Sequence, residues 1–130
     1  MKAQLAAERR LRALSYVSGA YDLALALPML LAPAATASLF GSAAPVPLVN
    51  AQLNGVFTLS LAVGYFWAAR DAWARRGYLW VAGVLAKLLG VTVFVADHFM
   101  NGSPASFLLF ALTDGTLGVL TLVLLLSAPR

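Results

Sequence analysis

The chain has 130 residues, of which 62% are hydrophobic and 11% charged, with a mean hydropathy of +0.85 and a formal net charge of +4. Such values exclude an ordinary soluble domain and indicate an integral membrane protein built as a single domain over residues 1–130. The basic surplus does not point to nucleic acid, because it collects at the ends of apolar runs. The absence of cysteine excludes disulfides, thiolate metal sites and CxxC exchange within the chain.

A helix needs about 20 apolar residues to cover a hydrocarbon core of about 30 Å. Four runs meet that length, at about 13–31, 48–69, 78–99 and 105–126. They predict an all-α fold, a four-transmembrane-helix bundle. Strands are disfavoured because the runs lack the polar alternation of a membrane barrel. The segment from Ala3 to Arg12 is a charged helical lead, with Glu8 and Arg12 spaced for an i,i+4 ion pair. A basic lead before an apolar run also resembles a signal peptide, and Ala35-Thr36-Ala37 resembles a cleavage site. Asp22 inside the run and the run's length argue for an uncleaved first span. In that span Ser15, Ser18, Gly19 and Asp22 recur at three- and four-residue steps.

Residues Ala32–Pro47 join spans one and two without any charge. Pro33 can open a short interfacial helix there, closed by Gly41 ahead of Pro45 and Pro47, with Leu39 and Phe40 against headgroups. Span two offers Asn50, Asn54, Thr58 and Tyr65. The turn after it carries Arg70, Asp71, Arg75 and Arg76, ringed by Trp67, Trp73, Tyr78 and Trp80 in the manner of an aromatic belt. Span three presents Gly83, Lys87, Gly90 and Phe94 and ends at Asp97 and His98. Span four presents Phe107, Phe110, Asp114, Gly118 and Thr121.

The basic residues Lys2, Arg9, Arg10, Arg12, Arg70, Arg75, Arg76 and Arg130 all fall in the amino tail, the second connection or the carboxyl tail. The first and third connections contain neither Lys nor Arg. Basic loops stay in the cytoplasm, so both termini are expected inside.

Depth arithmetic then locates the chemistry. At 1.5 Å per residue, Asp22 and Lys87 each lie ~14 Å from the inner ends of their spans, Asp114 ~18 Å and Asn54 ~22 Å. A lysine stem reaches roughly 6 Å, too short to bring the Lys87 head to water. Pairing with Asp22, Asp114 or both is the expected solution, because an unpaired central ion costs roughly 2.5–3.5 kcal/mol on insertion scales. Asp22, Asn54, Lys87 and Asp114 are therefore the candidate ligand-binding or proton-linked residues, with Ser18, Thr58, Tyr65 and His98 secondary to them. A lone His98 cannot hold haem or a multi-histidine metal centre within one chain, and no metal or other cofactor is expected. No Walker loop, GxSxG elbow or HExxH site is present, so no catalytic residue stands out.

Tyr21-Asp22, Ala68-Ala69-Arg70-Asp71 and Asp114-Gly115 give the chain a resemblance to the small bacterial tetraspan proteins grouped as DoxX-like. The resemblance implies a four-helix fold in the bacterial inner membrane and transfers no functional residues. The expected function is a non-enzymatic binding or accessory protein holding a small amphipathic ligand, lipid or partner at the polar layer. The alternatives are a small proton-linked transporter and an enzyme acting on a lipophilic substrate. Membrane lipids are the first expected partners, with a homo-oligomer or a larger membrane partner next; nucleic acid is not expected.

Overall fold

The computed structural model describes residues 2–127 and is helical throughout that range except for connecting turns. The helices are α1 (Lys2–Leu31), α2 (Pro33–Leu39), α3 (Val49–Ala69), α4 (Arg76–Tyr78), α5 (Lys87–Asn101) and α6 (Leu108–Ser127). A π-helical stretch, Leu79–Ala86, joins α4 to α5, and a 3-10 turn, Ala105–Phe107, leads into α6. Four long rods result, the third being α4, the π stretch and α5 in continuous succession. Arg130, counted above with the basic flanks, lies outside the described residues.

Three rods, Gln4–Leu31, Arg76–Asn101 and Ala105–Ser127, are long and apolar enough to cross a membrane. Helix α3 has 21 residues, enough in length, but its first turns carry Asn50, Gln52 and Asn54 and dilute its apolar character.

Local chemistry explains where the rods end. Pro33 opens α2, where its missing N–H is not needed. The helix closes with Gly41 at φ +71°, while the Gly41 and Ser42 amides donate to the Ser38 and Ala37 carbonyls. This is the paired 5→2 and 6→1 pattern of a Schellman cap. The short helix matches the sequence expectation, but Phe40 corrects it. Its ring packs 4.7 Å from that of Phe110, and its carbonyl accepts a hydrogen bond from Ser106 Oγ at 2.5 Å. Phe40 thus turns inward, leaving Leu39 exposed. At the other end of the molecule, Asp71 Oδ1 accepts the Ala74 amide at 3.0 Å and shapes the turn into α4. Arg75 and Arg76 lie 4.4 and 4.8 Å from the ring centres of Trp67 and Trp73. Glu8 and Arg12 form the expected pair at 3.8 Å on an exposed face.

The packed core lies at this basic end. Leu11, Tyr65, Ala68, Ala72, Leu79, Ala82, Val84 and Leu125 form one buried cluster drawn from all four rods and the turn between the second and third. Alanines and glycines let the backbones approach. Tyr78 also turns inward from the anticipated aromatic belt, its hydroxyl donating to the Leu61 carbonyl at 2.6 Å. A Cβ on Gly64 would collide with its ring. Gly83 meets Thr121 in the same way, and Gly118 meets Leu88 and the Cβ of Lys87. Gly90 differs: a Cβ there meets nothing within 4 Å. Gly90→Ala should therefore raise unfolding stability in detergent by about 0.5–1 kcal/mol, the cost of a mid-helix glycine relative to alanine.

Candidate functional site

Above this core, α1, α5 and α6 converge on one ammonium. Lys87 Nζ lies 3.3 Å from Asp22 Oδ1 and 2.8 Å from Asp114 Oδ1. The Lys87 and Asp22 side chains are 6% and 5% exposed, Asp114 19%. Two aromatic rings flank the cation, with centroids 5.3 Å (Tyr21) and 5.6 Å (Tyr65) from Nζ. Both lie within the range of cation–π attraction. The Thr113 hydroxyl donates to the Leu109 carbonyl at 2.8 Å, so Tyr21 is the donor in its 2.5 Å contact with Thr113 Oγ1.

The local backbone sets this up. On α1, Ser15, Ser18, Gly19 and Asp22 are all buried on one face, as their spacing predicts. On the third rod the π stretch ends directly before Lys87. Its i→i+5 turns are wider than those of an α-helix and bring three successive residues, Ala82, Gly83 and Val84, into the interior. An α-helical reading of the sequence misses that change of phase.

Energetically the cluster is close to balanced. Three buried ions at roughly 3 kcal/mol each cost about 9 kcal/mol on insertion scales. At an effective dielectric near 20, the 3.3 Å and 2.8 Å contacts return about 5 and about 6 kcal/mol, less the mutual repulsion of the two carboxylates. The cluster therefore contributes little net stability, and its contacts join α1, α5 and α6. Among the described residues, Ser18 Oγ, Asp22 Oδ2 and Tyr65 OH are buried without a hydrogen-bond partner.

The ion cluster is also the floor of a half-open cavity of about 590 Å³. Asn54, Phe57, Thr58 and Leu61 of α3 line one side, and Phe94, Phe107 and Phe110 line the opposite side. The roof is α2 and the segment after it, through Thr36, Phe40 and Pro45. Closed below by the packed core, the cavity occupies the half of the molecule remote from the arginine-rich turn.

The structure thus brings Asp22, Lys87 and Asp114 together and sets Asn54 higher, on the cavity wall, outside the ion cluster. Thr58 also lines the wall, its hydroxyl donating to the Asn54 carbonyl at 2.8 Å. Ser18 and Tyr65 are buried beside the cluster. His98 stands apart. A carbonyl can only accept, so its Nδ1 donates to Ser103 O at 2.6 Å, while Asp97 accepts from Asn101 at 2.6 Å and from Ser103. Together they build the turn between α5 and α6. Sequence reasoning missed Tyr21, although its position beside Asp22 was a usable signal. No family model, curated protein or solved structure matches the chain, and its functional reading rests on this geometry.

Proposed function

We propose that the chain is an integral inner-membrane binding or accessory protein that holds a small amphipathic ligand above the Asp22–Lys87–Asp114 layer. The carrying observation is the cavity itself: an ionic floor beneath apolar, aromatic walls, about 590 Å³ in volume. That size falls in the range of sites for organic ligands, which are mostly apolar with a few placed polar groups. In this reading all four rods span the bilayer as a bundle. Helix α3 counts as a span because it packs lengthwise on α1, its most extensive helix contact, and a membrane that takes one rod takes the other. The charge bias supports a cytoplasmic location for both termini and the arginine turn, and in that orientation the cavity faces the outer leaflet. A DoxX-like tetraspan architecture accords with this arrangement.

The test is mass spectrometry of small molecules retained by protein purified in nanodiscs. One species should be held near stoichiometrically by the native chain and lost from Ala86→Trp, which fills the cavity beside Lys87. Retention that is nonselective, or unchanged in Ala86→Trp, would overturn the reading. Chemically altered species would indicate catalysis in place of binding, and proton-linked flux after a pH jump in proteoliposomes would indicate transport.

A further inference from the structure

The cavity's charge and unused acceptors narrow what it can take. Its charged lining residues are Asp22, Lys87 and Asp114, two carboxylates against one ammonium. When all three are ionised, one negative charge is left over. The buried second oxygen of Asp22 has no hydrogen-bond partner. Asp114, the most exposed of the three, meets Lys87 through Oδ1 and lines the cavity. The floor therefore offers acceptors and surplus negative charge, while its one cation is already shared between two carboxylates.

The walls point the same way. Phe40, Phe57, Phe94, Phe107 and Phe110 surround the space. Aromatic faces carry negative quadrupole charge and attract organic cations. An anion would meet two carboxylates and an engaged lysine. A bare metal ion would leave the aromatic walls unused, and among the described residues no group of three His, Cys, Asp or Glu side chains is placed to hold one.

Resting on the cavity reading above, we infer that the ligand is a lipophilic monocation, a protonated amine or onium group on an apolar body. Asp114, backed by Asp22, is its counter-charge, and the phenylalanines receive the body. Lys87 stays in place and holds the two carboxylates at a common level, so that one added positive charge neutralises the floor.

Two probes of matched size and opposite charge test this: tetraphenylphosphonium and tetraphenylborate, by equilibrium binding to the full chain in nanodiscs, corrected with empty discs. Saturable phosphonium binding near one per chain is expected, without saturable borate binding. Asp114→Asn should weaken phosphonium binding at least tenfold, Asp114→Glu should largely retain it, and Ala86→Trp should abolish it. Saturable borate binding that Ala86→Trp abolishes, without phosphonium binding, would overturn the cation assignment and leave the cavity reading standing. Unchanged phosphonium affinity in Asp114→Asn would overturn the role of that carboxylate. If neither probe saturates, the cation assignment falls, and the retained-species measurement separately decides the cavity reading. Should Asp114→Asn fail to fold, the contrast between the two probes on the native chain still decides the question.

Discussion

Replacing Lys87 by methionine is expected to cost about 3–5 kcal/mol of unfolding free energy, the penalty for stripping the partner from buried opposite charge. The measurement is SDS-driven unfolding in mixed micelles, followed by tryptophan fluorescence. The competing magnitude is much smaller, since interhelical hydrogen bonds in membrane proteins average about 0.6 kcal/mol and reach about 1.7 kcal/mol. A loss within that lower range would mean that the carboxylates do not depend on Lys87 for charge compensation. The triple variant Lys87→Met, Asp22→Asn, Asp114→Asn should recover most of the loss, because no ion is then left behind. A double-mutant cycle on Asp22→Asn and Lys87→Met should show strong coupling; simple additivity would contradict the 3.3 Å contact.

The second large effect is expected at Gly55, where α3 crosses α1. A Cβ there would lie 2.8 Å from Leu30 Cγ, 3.1 Å from the Leu30 amide nitrogen and 3.2 Å from the Ala26 carbonyl oxygen. Two of these atoms are helix backbone and cannot rotate away. Gly55→Leu must push the two rods apart along their longest contact, and about 3 kcal/mol is expected, the upper part of the usual range for overpacking. Gly19→Ala makes the control. The nearest atoms to its new methyl belong to the Phe66 ring at 3.0–3.2 Å, the movable end of a side chain. Thermal midpoints in detergent should fall steeply for Gly55→Leu and only slightly for Gly19→Ala. Equal shifts would contradict the backbone argument.

The ion cluster is legible in the sequence because depth in a bilayer is one-dimensional. Counting residues from the basic ends places Asp22 and Lys87 at one level and Asp114 slightly above, and the price of a lone charge does the rest. The short helix after Pro33 was legible for a similar reason, since proline and glycine constrain the backbone where they stand. Lateral arrangement is two-dimensional, and helical periodicity does not report which rods are neighbours. Asn54 therefore looked like a member of the charged layer although it lies on the cavity wall. Phe40 looked like a headgroup contact because nothing in its own segment announces Phe110 and Ser106 as partners. The π stretch was invisible because Leu79–Ala86 is apolar on all sides, leaving no polar face to mark the change of phase. Even the cavity comes from that missing dimension: it exists because α3 follows α1 and leaves room opposite α5 and α6.

The tightly closed alanine-rich end has a bearing on traffic. Leu11, Tyr65, Ala68 and Leu79 are each no more than 2% exposed, and together they stopper the vessel at its base. On the binding reading proposed above, a ligand that enters past the phenylalanines would meet this packed base. On that reading the chain would serve as a receptacle closed at its base, and conduction would first require those four residues to part.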